Sequence, residues 1–252
     1  MSIFFKNKKI WVIGGSRGIG LGLAQALVKR GASVIMSARN PAKIKFPHQF
    51  IPLDVTDRKS LHKTCNKMKN LDGVIYSSGI LSPAYISDID EKHLSDIINI
   101  NILPAVLLTT YLGKKIENRK GFFVYMGSVA GVVGVPLGQP YGGGKDFLKN
   151  FAETVAVEYP AMTTHLVTPG YVKTDMISGN NFVMPFIYSI KKAVDIILFG
   201  IATKKFHIAF PRGLHIMAWV IRLSPVFMRR LFWKYCHHLI VKGSIKKNKK
   251  RK

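Results

Sequence analysis

Tyr141 and Lys145 stand four residues apart, the spacing that puts two side chains on one helix face. A phenol beside an ammonium can exchange a proton with a substrate oxygen near neutral pH, because the positive charge favours the phenolate. Tyr111/Lys115 and Tyr188/Lys192 share the spacing, so spacing alone selects nothing. Ser128 distinguishes Tyr141. It lies at the end of an expected strand, and a doubly wound sheet delivers the carboxyl ends of its strands to a ligand crevice. The Ser128 hydroxyl and the Tyr141 phenol can therefore converge on one oxygen.

A second group sits near the start of the chain. Gly14-Gly15-Ser16-Arg17-Gly18-Ile19-Gly20 separates a short apolar run from a helical pattern. Glycines there allow a tight turn, and the free N–H groups of the helix start suit a pyrophosphate. The next strand ends in Ser37-Ala38-Arg39-Asn40, with no acid to hold a ribose 2′-hydroxyl. An arginine suits a 2′-phosphate instead, with Arg17 as a second clamp, which predicts a preference for NADP(H) over NAD(H).

The elements needed to position these groups can be read from apolar runs and helical periodicity. Strands are expected at Lys9–Ile13, Ser33–Met36, Phe50–Leu53, Gly73–Tyr76, Phe122–Met126, His165–Thr168 and His207–Phe210. Helices are expected at Gly18–Arg30, Lys59–Met68, His93–Lys115 (bent at Pro104), Tyr141–Glu158 and Ile190–Ile201, with a loop holding Pro41 and Pro47. Short apolar strands alternating with helices predict an α/β fold, a doubly wound parallel sheet of the Rossmann type in one domain.

Taken together, these residues resemble the short-chain dehydrogenase/reductase family over roughly residues 8 to 210. Gly14, Gly18 and Gly20 match its glycine turn, and Asp54 in Leu53-Asp54-Val55 matches the acid at the adenine. Gly79 closes a segment similar to the family's Asn-Asn-Ala-Gly. Asn101, Ser128, Tyr141 and Lys145 match its catalytic tetrad, and Pro169-Gly170 with Val172 and Thr174 resembles the segment beside the nicotinamide. The resemblance implies an oxidoreductase acting on a CH–OH/C=O pair. In it Ser128 polarises the oxygen and Tyr141 transfers the proton. Lys145 holds the ribose, and Asn101 positions a relay water. The implied cofactor contacts are Gly14, Ser16, Arg17, Gly18, Ile19, Gly20, Arg39, Asp54, Val55, Gly79, Tyr141, Lys145, Pro169, Gly170, Val172 and Thr174. A homodimer or homotetramer is implied as well. Three departures stand out. Ile13 replaces a threonine, Tyr76-Ser77-Ser78 lacks the usual asparagines, and Gly142-Gly143-Gly144 replaces Ala-Ser before the lysine.

Composition adds a partner question. The formal charge is +25, and no Asp or Glu follows Asp195. Such a balance attracts anionic partners and does not specify the fold. Leu214–Trp233 mixes large apolar side chains with Arg222, Arg229 and Arg230, and Pro225 divides it into two expected short helices. This segment either packs on the protein or lies on an anionic membrane, where it would suit a lipophilic ketone or alcohol. No zinc-ligand or aromatic RNA-recognition motif accompanies it, so nucleic acid is the least expected partner. Cys65 and Cys236 form no disulfide framework or metal cluster, and no metal is expected. The run Ile10–Ile13 is too short for a signal-peptide core, and no uninterrupted apolar run spans a bilayer. The expected location is cytoplasmic, with peripheral contact at a membrane. The expected parts are a catalytic domain at 1–212, an amphipathic helical extension at 213–243 and a basic tail at 244–252. A lipophilic-carbonyl reductase is the leading function, and a non-catalytic NADP(H)-binding regulator is the alternative.

Overall fold

The computed structural model describes residues 2–40, 49–178, 184 and 186–248. Its strands are β1 (Lys9–Ile13), β2 (Ser33–Ala38), β3 (Gln49–Pro52), β4 (Gly73–Tyr76), β5 (Phe122–Met126), β6 (Thr163–Pro169) and β7 (His207–Phe210). They form one parallel sheet in the order β3-β2-β1-β4-β5-β6-β7. The helices are α1 (Ser2–Phe5), α2 (Gly18–Lys29), α3 (Arg58–Lys67), α4 (Glu91–Ile97), α5 (Leu103–Asn118), α6 (Tyr141–Glu158), α7 (Asp175–Ser178), α8 (Ile190–Ala202), α9 (Arg212–Leu223) and α10 (Val226–Asn248).

Alternation along β1 explains the layering. Ile10 and Val12 face one side with Leu23 and Leu27 of α2 and Ile197 and Ile201 of α8. Trp11 and Ile13 face the other with Leu61 of α3, Leu108 and Leu112 of α5, and Leu148 of α6. Both sheet faces are covered, so the strands are apolar throughout rather than half polar. The chain reverses direction across the sheet between β1 and β4, which opens a crevice above their carboxyl ends.

The expected long helix at His93–Lys115 is interrupted. A π-helical turn, Ile98–Ile102, joins α4 to α5 just before Pro104. Proline has no N–H, so the Ile100 carbonyl four residues earlier loses its helical donor. The Tyr76 hydroxyl supplies one in its place. Glu91–Asn118 is long and apolar enough to cross a membrane, but Leu108, Leu112 and Ile116 of this segment pack on the sheet.

The carboxyl end also differs from expectation. Pro225 does separate two helices, but the second is not short: α10 runs 23 residues and carries Lys246 and Lys247 of the expected tail. The Pro41–Pro47 loop, most of residues 179–185, and residues 249–252 lie outside the described residues.

Candidate active site

The turn after β1 is fixed by close approach of two backbone segments. Gly14 has φ +84°, and a Cβ there would lie 2.5 Å from the Ser78 nitrogen. A Cβ on Gly20 would lie 2.2 Å from the Gly14 oxygen. The Gly14 amide donates to the Ser37 carbonyl at 2.8 Å, and the Ser77 amide donates to the Ile13 carbonyl at 2.8 Å. The turn is thus tied to the ends of β2 and β4. Ile13 itself is fully buried in the core.

Around this turn lies a cleft of about 340 Å³. Gly14, Ser16, Arg17, Gly18, Ile19, Gly20, Arg39, Asp54, Val55, Gly79 and Thr174 line it. The α2 N-terminus opens on it with no side-chain cap, leaving its first N–H groups for a ligand anion. Asp54 and Arg39 act on one another there. Burial alone would raise the Asp54 carboxyl. Hydrogen bonds from Thr56 at 2.9 and 2.8 Å, together with the Arg39 charge, hold it below its ordinary value.

Five expected contacts, Tyr141, Lys145, Pro169, Gly170 and Val172, do not line this cleft. The Gly170 amide donates to the Phe210 carbonyl at 2.7 Å, and a Cβ on Gly170 would meet Leu214 of α9 at 2.7 Å. Pro169 ends β6 in register with Phe210, and Val172 is buried beside Tyr188. These residues seat α9 and β7. Conversely, Asn40, Ser77, Ser78, Ile80, Ile100, Asp175 and Met176 line the cleft without having been expected there. Adjacency to Arg39, Gly79, Asn101 and Thr174 was the available signal.

Ser128, Tyr141 and Lys145 come together through β5 and α6. Ser128 follows β5 and accepts from the Ala130 amide at 3.2 Å. Tyr141 is the first residue of α6, and the Ser128 side chain reaches its phenol closely enough to favour the phenolate. Gly142 lets this helix start approach the serine turn, since a Cβ there would lie 2.7 Å from the Ala130 oxygen. That close approach accounts for one of the three consecutive glycines. The Lys145 ammonium donates to the Met126 carbonyl at 2.6 Å and lies 5.5 Å from the Tyr141 ring centre. Ser128 and Lys145 also line a void of about 10 Å³ whose wall includes Trp219 of α9.

Asn101 is fully buried in the π-turn. Its amide donates to the Ile80 carbonyl at 3.0 Å and accepts from the Ile80 amide at 2.9 Å. A Cβ at Gly79 would sit 3.4 Å from its Oδ1 and 3.7 Å from the Lys145 Nζ. The segment after β4 therefore brings Asn101 and Lys145 to the edge of the cleft.

The electrostatics correct one expectation. From charge alone, Lys145 is expected to draw the Tyr141 phenol down. Burial instead raises it above its ordinary value, opposed by the Ser128 side chain. Burial also pushes Lys145 down, from 10.5 to about 8. Between these two pH values the unfolded chain holds a proton that the folded chain has lost, so stability rises with pH across that window. Lys145 should contribute about 1–3 kcal/mol of this rise. In urea titrations from pH 7.5 to 10.5, Lys145→Met should be the more stable protein at the acid end and lose that advantage at the alkaline end. A stability difference that stays flat with pH would show that this ammonium is not the titrating group.

A glycine turn at the switch point of a parallel sheet, with a helix N-terminus and two arginines around it, defines the dinucleotide-binding class of doubly wound proteins. The chain belongs to the short chain dehydrogenase family, whose model matches residues 8–181. It is an oxidoreductase of that type. An uncharacterized oxidoreductase of Myxococcus xanthus (strain DK1622) is 26% identical over 231 residues, covering 85% of this chain and 91% of the relative. The 3-oxoacyl-[acyl-carrier-protein] reductase MabA of Mycobacterium avium is 26% identical over 181 residues, covering 68% and 70%. A short chain dehydrogenase of Burkholderia cenocepacia J2315, solved in complex with NADP, superposes with a TM-score of 0.79 at 18% identity, covering 87% of this chain and 94% of that one.

Proposed function

We propose that the protein is an NADP(H)-dependent reductase of a carbonyl on a lipophilic substrate, able to run the corresponding alcohol oxidation in reverse. The observation that carries this reading is the convergence of the Ser128 side chain on the Tyr141 phenol, set beside Lys145 at the edge of the Arg17/Arg39 cleft. When bound, the nicotinamide supplies the hydride. The chain's own groups do the rest. Ser128 donates a hydrogen bond to the substrate oxygen, and Tyr141 gives it a proton. Lys145 fixes the ribose hydroxyls, and Asn101 holds the Gly79–Ile80 turn against the lysine.

The cleft suits this cofactor. The uncapped start of α2 leaves backbone N–H groups for the phosphates, and a 2′-phosphate between Arg17 and Arg39 would meet two guanidinium forks. Asp54 and Val55 are proposed to border the adenine, with Ser16, Gly18, Ile19 and Thr174 around the phosphates and nicotinamide. Arg39→Asp should lower NADPH affinity by about 10- to 100-fold, the worth of one charge-assisted contact, and leave NADH affinity equal or higher. Equal or better wild-type turnover with NADH would overturn the preference.

Relatives named for 3-oxoacyl reduction support a 3-oxo lipid as the substrate class. The reading includes a homodimer or homotetramer, and peripheral contact with an anionic membrane as the place where such a substrate is met. The test is NADPH consumption with a panel of aliphatic, sphingoid and steroid ketones. No consumption with any of them, despite measurable NADPH binding, would favour the non-catalytic regulator.

A further inference from the structure

We infer that α9 and α10 form an arm that seats on an anionic bilayer through its outward apolar face. This deepens the proposed reading by naming the arm's partner, and it rests on that reading only for why such a partner is useful.

One side of α9 is docked. Leu214, His215 and Ala218 are buried, and the His215 Nε2 pairs with the Thr168 carbonyl at 2.9 Å. Arg222 donates to the Val132 carbonyl at 3.0 Å, and the Lys149 ammonium lies 5.5 Å from the Trp219 ring centre. The opposite side presents Ile216, Val220 and Leu223, which are 65%, 64% and 78% exposed.

After Pro225, α10 continues the same polarity. Arg229 and Trp233, one turn apart, are half-buried, and His237 one turn further meets the Tyr85 ring at 6.1 Å. At 100° per residue, Phe227, Leu231 and Tyr235 form the stripe opposite, with Met228 and Phe232 beside it. All five are exposed, Phe227 and Leu231 at 65% each. Arg230 and Lys234 border this stripe. The helix thus turns Arg229 and Trp233 inward and leaves Phe227, Met228, Leu231, Phe232 and Tyr235 outward, unlike a helix whose outer face meets water.

Charge decides among possible occupants. Residues 196–252 contain no Asp or Glu, while the arm carries Arg212, Arg222, Arg229, Arg230, Lys234, Lys242, Lys246 and Lys247. A second copy meeting this face across a two-fold axis would bring the same unbalanced cations together. An apolar stripe bordered by cations instead matches the acyl boundary and headgroups of an anionic leaflet.

The test is sedimentation of the full-length protein with phosphatidylcholine vesicles, with and without a large fraction of phosphatidylglycerol, at low and high salt. Binding should favour the phosphatidylglycerol vesicles by about tenfold or more and weaken with salt. Phe227→Glu with Leu231→Glu should abolish it. Circular dichroism and NADPH-dependent turnover of a short water-soluble 3-oxo ester serve as controls that the variant is folded. Wild-type binding by that variant overturns the apolar seat, and equal binding to both vesicle types overturns the anionic preference. A wild-type dimer that binds no vesicle and becomes a monomer in the variant assigns the face to a second copy, and also overturns the proposal. Absence of turnover in the wild type with vesicle binding intact would count against the reductase reading alone.

Discussion

Tyr141→Phe should lower turnover by about 10²- to 10⁴-fold, the range that a positioned proton donor contributes. The substitution removes one oxygen from a residue already buried at the start of α6, so the ring keeps its packing. What is lost is the phenol proton and the approach of the Ser128 side chain to the phenol. Because burial holds the phenol above its ordinary range, the wild-type donor stays protonated throughout neutral pH, which suits the reducing direction. Tyr141 does not line the 340 Å³ cleft, so NADPH affinity measured by fluorescence titration should change less than about threefold, under 1 kcal/mol. Near-normal turnover in the variant would remove Tyr141 from the proposed chemistry. A matching loss of NADPH binding would reassign it to holding the cofactor.

The second large effect concerns the glycine turn. Gly14→Ala places a methyl group 2.5 Å from the Ser78 nitrogen and 2.8 Å from the Ser77 carbonyl carbon, both backbone atoms, at φ +84°. The left-handed conformation costs an alanine about 1–2 kcal/mol, and overlap with a backbone that cannot rotate away adds about 1–3 kcal/mol. A loss of about 2–5 kcal/mol in urea unfolding should follow. NADPH binding should also weaken, because relief of the overlap moves the turn away from the α2 N-terminus. Unchanged stability together with unchanged NADPH affinity would mean that β4 and the turn are not held this tightly.

How much of this was readable beforehand follows from the physics of each element. β1, β4, β5, β7 and α6 were legible to the residue, because buried parallel strands are continuous apolar runs between turn residues and α6 follows Pro140 directly. The Ser128–Tyr141 meeting was legible too, since it needs only a strand end and a helix start in one crevice. The π-turn was not. It follows from Pro104 removing a donor and Tyr76 replacing it, and Tyr76 lies in another strand. The placement of Pro169, Gly170 and Val172 was similarly hidden, because Leu214 and Pro211, which press on Gly170, come from some 40 residues further along the chain. The inward arginine of α10 depends on which side of the helix meets the domain, and periodicity alone assigns no side to a helix that is apolar over most of its circumference.

The cleft has one consequence for how a ligand would be felt. Its walls come from chain stretches at 14–20, 38–40, 53–55, 77–80, 100 and 174–176, and no single βαβ unit owns it. A compound that fits there has nothing to grip in the unfolded chain, so its binding energy adds to the cooperativity of the whole sheet. By mass action, a concentration one hundred times the dissociation constant stabilises the native protein by about 2.7 kcal/mol. Melting temperature therefore becomes a gauge of occupancy that requires neither a substrate nor a catalytic event.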